Sequence, residues 1–264
     1  MAAKVRLEKV TQVFSDPKSG RETLALKDVS FDIEDQETVA LLGPSGCGKT
    51  TALNVIAGFI QPTEGVALIE GRPITKPGPD RGVVFQEHFL FHWLTVEENI
   101  AFALKLKGMH RSDYLERAHE FVKRVGLTGF ERHHPDELSG GMRQRVSIAR
   151  VLINNPEILL MDEPFAALDA QTRLLMQEWL LRLWEEHQMS MLFITHDVDE
   201  AILMADRILM MGVLPGRIIQ EIKVPLQRPR IRAMLTSQPF METKVKCLDL
   251  IAKESAKVFE GAFD

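Results

Sequence analysis

The stretch TVALLGPSGCGKTTALNVIAGF, Thr38 to Phe59, decides the fold. Its first part, TVALLG, is a nearly continuous apolar run ending in glycine, the pattern of a strand buried on both faces of a parallel sheet. Its last part, TALNVIAGF, has the apolar spacing of a helix. Between them GPSGCGKTT fits G-x-x-x-x-G-K-[ST], the P-loop. Strand, glycine-rich loop and helix together open a βαβ unit. Gly43, Pro44, Ser45, Gly46, Cys47, Gly48, Lys49, Thr50 and Thr51 make up this motif, at the start of the helix. The glycines let successive backbone N–H groups turn toward one anion. Lys49 can reach the β- and γ-phosphates of a nucleotide as a point charge. The Thr50 hydroxyl can bind Mg²⁺, and the positive end of the helix faces the phosphates.

The rest of the chain is consistent with one large domain, or one domain with a small appendage. It has 264 residues, 45% of them hydrophobic and 26% charged, with a formal net charge of -5. That balance fits a globular protein with a sizeable core and argues against a broad nucleic-acid-binding surface. Cys47 and Cys247 are far apart and lack CxxC spacing, so neither a disulfide framework nor a zinc site is expected. A reducing cytoplasm suits this usage. The N-terminal MAAKVRLEKVTQVF lacks the apolar core of a signal peptide. The apolar runs ILLM and MLFI are far short of the ~20 residues that span a bilayer, so any membrane crossing falls to other subunits.

Around the P-loop, VRLEKVTQVF and FDIE alternate as strands do. From about Thr95 to Arg150 the chain reads as mainly helical. Thr95 and Glu98 have capping-box spacing, Ser112 is a candidate cap for SDYLERAHEFVKRVG, and Gly126 closes that helix. EILLMDE and SMLFITHD read as buried strands, with the helical QTRLLMQEWLLRLWEEH between them. Asp197 and Glu200 have the spacing of a cap and its partner for VDEAILMAD. RILMM and GRIIQEI read as closing strands. After Pro225 come QRPR and an amphipathic stretch, Met241 to Phe259, read as a short helical tail.

Two further stretches carry chemistry. ILLMDE ends a buried strand in two carboxylates, at the sheet edge where open α/β folds bind ligands. Adjacent strand residues point to opposite faces, so the two acids take different jobs. Asp162 suits Mg²⁺, through water, and Glu163 suits the attacking water as general base. ELSGGMRQR, Glu137 to Arg145, pairs two glycines at a helix start. Ser139 is the candidate N-cap, and Gly140 and Gly141 leave the first-turn N–H groups unobstructed. One reading is a second anion site at a helix N-terminus; the other is a plain capped helix after the HHPDE loop.

The ordered set decides between these readings. GPSGCGKTT, Gln86 in VVFQE, LSGGM, ILLMDE, ALDA and ITHD resemble, in that order, the motifs of ATP-binding-cassette (ABC) ATPases, over about Val5 to Arg230. PFAALDAQTR, FHWLTVEENI and DRILMMGVLPGRI further resemble the nitrate/sulfonate/taurine branch of bacterial ABC importers. The resemblance implies an α/β P-loop NTPase core of ABC-ATPase type, with an N-terminal antiparallel β-subdomain and an inserted helical subdomain. The ATPase domain would span 1–230, its helical subdomain about 88–153, and the short helical tail 231–264. It implies a homodimer in which ATP lies between one copy's P-loop and the other's signature, so that Ser139, Gly140 and Gly141 meet the γ-phosphate held by the partner's Lys49. Phe14 matches the aromatic that stacks on adenine, with a core strand phenylalanine as the alternative. Gln86 would sense Mg²⁺ and the attacking water, Asp169 would lie in the loop touching the partner's site, and His196 would hydrogen-bond the γ-phosphate.

The implied cofactors are ATP and Mg²⁺. The implied partners are two transmembrane permease subunits and, indirectly, an extracytoplasmic substrate-binding protein, with no nucleic acid. The implied location is peripheral, on the cytoplasmic face of the inner membrane. FLFHWL, with Trp93, falls where the family docks permease coupling helices; ordinary core packing is the other reading. Gln36 stands where the family usually has a turn glycine, Ala166 where glycine is usual, and His92 where proline is common. A soluble ABC-type mechanoenzyme acting on nucleic acid or ribosomes is the rival class, but such proteins tend to carry a coiled-coil insertion, a zinc site or two cassettes. A P-loop small-molecule kinase would leave LSGGM and His196 without a purpose. The transported solute is not legible, because selectivity lies in the other subunits. QRPR either crosses a dimer or caps the sheet.

Overall fold

The computed structural model describes residues 3–213 and 215–260. The chain divides into two compact units, Met1–Gly78 with Gln177–Asp264, and Pro79–Met176. The first opens with β1 (Val5–Ser15), β2 (Glu22–Ile33), β3 (Thr38–Leu42), α1 (Lys49–Ala57), β4 (Glu64–Ile69) and β5 (Arg72–Pro73). The second holds β6 (Arg81–Val84), α2 (Val96–Leu106), α3 (Arg111–Arg124), α4 (Gly140–Leu152) and β7 (Ile158–Asp162). Helix α5 (Ala170–His187) is followed by β8 (Ser190–Thr195), α6 (Val198–Met204), β9 (Arg207–Gly212), β10 (Arg217–Lys223) and α7 (Gln238–Glu260).

In the first unit β2, β1, β4 and β5 form an antiparallel sheet in that order. Val5 and Leu7 of β1 turn into its core by period-two alternation, and a register shift between Leu7 and Val10 brings Val10 to the same face. Strand β3 lies between β8 and β9, parallel to both, and β10 returns antiparallel beside β9. Every residue of β3 and β8 is buried, which is why both read as continuous apolar runs. Gln36 sits at φ 61, the left-handed conformation that glycine adopts most easily. Its N–H donates to Ser190 Oγ at 2.9 Å, which offsets part of the strain.

In the second unit β6 and β7 pair in parallel. Helix α2 carries the expected capping box: Glu98 N–H donates to Thr95 Oγ1, and Thr95 N–H to the Glu98 carboxylate. Gly126 follows α3 at φ 67. The expected Ser112 cap is not found. Helix α3 starts earlier, at Arg111, with His110 as its N-cap residue. The Ser112 hydroxyl instead contacts the His110 ring and donates to Asp113. A hydroxyl inside the first turn has a neighbouring carboxylate closer than any unpaired amide.

Three strands lie outside the sequence reading. Strand β4 buries only two of its six residues, β5 has two residues, and β6 has four. In β4 the alternation is confined to its last four residues, and β5 and β6 are too short for a period to register. The tail is helical, as expected, and α7 starts at Gln238; residues 261–264 of the expected tail lie outside the described residues. Both arginines of QRPR fold back on their own chain. Arg228 pairs with Asp206 and stacks over Trp184, 3.6 Å from its ring centroid. Arg230, nearly fully buried, donates to the carbonyls of Ile202, Leu203 and Ala205 at the end of α6.

Candidate functional site

In the first unit the P-loop leaves β3 at Gly43 and enters α1 through Gly48, the left-handed N-cap residue at φ 92. The Lys49 ammonium is buried and donates to the carbonyls of Gly43 and Pro44, at 2.8 and 2.9 Å. The charge is thereby fixed inside the loop's curve. Thr50, Ser45 and Gly46 are exposed, and Pro44 and Thr51 are half-buried. Cys47 is buried against this ammonium, and burial pushes its thiol above the usual range despite the nearby cation. It is a packed neutral side chain rather than a nucleophile.

Leu42 pairs with Thr195 across β3 and β8. Gly43 and His196 therefore leave neighbouring parallel strands at the same carboxyl edge. His196 is exposed, and the next residue, Asp197, caps α6 by accepting from the N–H groups of Asp199 and Glu200. Phe14 lies near the end of β1 with 41% of its surface exposed, so the core-strand reading of this aromatic fails.

The second unit repeats the device. Val84 pairs with Met161 across β6 and β7, so Gln86 and Glu163, each two residues further on, leave one edge together. Gln86 is exposed, and Asp162 and Glu163 are half-buried. Glu163 stands at φ 45, a conformation that costs about 1 kcal/mol or more in a side-chain-bearing residue. Its carbonyl accepts from Ala166 N–H at 3.1 Å, which closes the turn.

Ser139 caps α4, its hydroxyl accepting from Met142 N–H. The two glycines after it differ. A Cβ on Gly141 would stand 2.8 Å from the Thr172 methyl, whereas one on Gly140 would approach nothing closer than 3.4 Å. Gly141 is thus required for α4 to pack against the start of α5, and Gly140 leaves the helix end open. Asp169 caps α5, accepting from the N–H groups of Gln171 and Thr172. Hydrogen bonds from Thr172 hold its carboxyl below the usual range.

Two residues escaped the sequence reading. Arg150, near the end of α4, donates to the carbonyls of Phe89 and His88 at 2.7 and 3.2 Å. It ties the chain just after Gln86 to the helix that begins at Ser139. Gly216 lets the turn before β10 press on the P-loop: a Cβ there would stand 2.2 Å from the Cys47 carbonyl oxygen. Arg150 lies in SIAR, a polar interruption of an apolar helix face, and that interruption is the signal that could have found it. Gly216 has no local signal.

Thr50, Gln86 and Asp162 offer a hydroxyl, an amide and a carboxylate, the oxygen donors a hard cation prefers. Among the described residues no group of three or more His, Cys, Asp or Glu could by itself hold a metal ion. No described helix is long and apolar enough to cross a membrane.

A loop that curls its backbone around a fixed lysine at the edge of a parallel sheet defines a P-loop nucleotide-binding protein. A family model described as ABC transporter matches residues 26–166. The chain is 46% identical, over 97% of its length and 94% of the relative's, to an uncharacterised ABC transporter ATP-binding protein of Methanocaldococcus jannaschii. It is 47% identical to an aliphatic sulfonates import ATP-binding protein of Bacillus cereus, over 92% of this chain and 94% of that one. Among solved structures it resembles a dimeric ATP-binding cassette in a post-hydrolysis state bound to ADP and Pi, with a TM-score of 0.72 and 35% identity, over 84% of this chain and all of that one. This chain belongs to the ABC transporter ATP-binding family, and it is an ATPase.

Proposed function

We propose that this chain is the ATP-hydrolysing subunit of an importer, working as a homodimer on two separate permease subunits. The observation that carries the reading is the serine-capped, glycine-opened start of α4, a helix end whose free first-turn N–H groups suit an anion and which has no P-loop lysine beside it. It completes a nucleotide site only against a second copy's Lys49. ATP would lie between that P-loop, Gly43 to Thr51, and Ser139, Gly140 and Gly141 of the facing copy, with Phe14 stacked on the adenine. Thr50, Gln86 and Asp162 would hold Mg²⁺, which supplies charge neutralisation on the phosphate oxygens.

Glu163 would take a proton from the attacking water as its oxygen bonds to the γ-phosphorus and the bond to the ADP oxygen breaks. His196 would donate to the γ-phosphate, and Asp169 would touch the facing copy's site. Closure on ATP and opening after release would drive the permease between inward- and outward-facing states. A cavity of 510 Å³ in the second unit, lined by Phe91, Phe102, Leu106 and Arg150 among others, suits an apolar permease segment. The aliphatic sulfonates relative supports a small anion or organic solute as cargo, delivered by an extracytoplasmic binding protein, and a peripheral place on the cytoplasmic face of the inner membrane.

The test is Ser139→Arg. It should abolish phosphate release while the folded chain still binds ATP through its own P-loop. Retained hydrolysis would refute the shared site.

A further inference from the structure

Helix α7 has two different apolar faces. One is buried: Phe240 and Cys247 are inside, with Thr243 and Glu254, and Lys244 pairs with Asp199 of α6 at 2.7 Å. The other is bare. Met241, Val245 and Leu248 are 45%, 55% and 47% exposed, and exposed Ala252 continues the line. Their spacing of four, three and four residues is that of a coiled-coil seam. The anchored face holds this seam rigidly toward the outside.

We propose that the seam is a homodimer contact, in which α7 of one copy packs in parallel along α7 of a second copy about a two-fold axis. With Met241 and Leu248 at d positions and Val245 and Ala252 at a positions, Lys244 falls at g and Asp249 at e. A parallel pair sets each Lys244 against the partner's Asp249. An antiparallel pair would set Glu242 and Asp249 against their own kind, so charge selects the parallel arrangement. Lys244 also bonds Asp199 in the first turn of α6, three residues beyond His196. The seam therefore starts beside the edge that faces the partner copy in the function proposed above, on which this inference rests.

Four side chains per copy fall well short of the ~800 Å² per partner of a stable interface. The seam is a tether rather than a dimer in its own right. It adds to the nucleotide-dependent contact and keeps two copies at high mutual concentration after ATP has left.

The test uses the full chain without nucleotide. Under mild oxidation Leu248→Cys should form a disulfide-linked dimer, well above both the parent, whose Cys47 and Cys247 are buried, and Lys246→Cys off the seam. Leu248→Glu should weaken nucleotide-free association about tenfold or more. Cross-linking no better than that of Lys246→Cys, or an unchanged monomer–dimer balance in Leu248→Glu, overturns the seam. So does a Leu248→Glu variant that keeps its self-association but loses binding to permease subunits. Glu163→Gln with ATP, run alongside, reports separately on the sandwich: if it fails to dimerise, the function is wrong, whatever the seam does.

Discussion

At the scale of single residues, Glu163 holds a left-handed backbone at the end of β7 and Lys49 a buried ammonium inside the loop, and the proposed function gives each a chemical role. Glu163→Gln keeps the side chain's size and removes its proton affinity. Turnover should fall about 100-fold or more, with ATP affinity unchanged, as steady-state phosphate release and nucleotide titration would show. His88 gives a pH signature next to the same segment. Burial holds its imidazole below the ordinary value of 6.5, helped by the Arg143 guanidinium. The unfolded chain then takes up a proton that the folded chain refuses. Stability is full above that ordinary value and falls as pH drops from 6.5 toward the folded value. In His88→Gln the urea midpoint should change less between about pH 7 and about pH 5 than in the parent.

At the scale of elements, the doubled glycine separates into two functions. Gly141→Ala should cost about 1–3 kcal/mol through its clash with the Thr172 methyl, read as a lower denaturation midpoint. Thr172→Ser removes that methyl while keeping the hydroxyl, so the double variant should recover most of the loss. Gly140→Ala should leave the midpoint nearly unchanged. Helix α4 also spans two features that the motifs treat as separate. Its start is the serine-capped signature, and Arg150 at its far end grips the chain beyond Gln86. A displacement of the signature helix reaches the Gln86 segment through one side chain.

At the scale of the whole molecule, the tail is secured by its arginines. Arg230→Ala would leave three carbonyls at the end of α6 without their donor. The chain should lose about 3 kcal/mol or more in urea unfolding, a larger loss than expected for an exposed-tail residue. The strands β3, β7 and β8, the caps Thr95, Ser139 and Asp197, and the P-loop were legible in the sequence, because each is marked by a continuous apolar run or by residues a few positions apart. Strands β4, β5 and β6 were not, since β4 opens on two exposed residues and β5 and β6 are only two and four residues long, and Ser112 was misread because several polar residues compete at one helix start. The ordered motifs alone determined the fold class and the nucleotide chemistry. Tertiary structure alone decided that Gly43 leaves the sheet beside His196 and Gln86 beside Glu163, that Arg150 and Arg230 are clamps, and that one face of α7 stays bare. Pairing and burial depend on residues far away in the chain, and no local pattern encodes them.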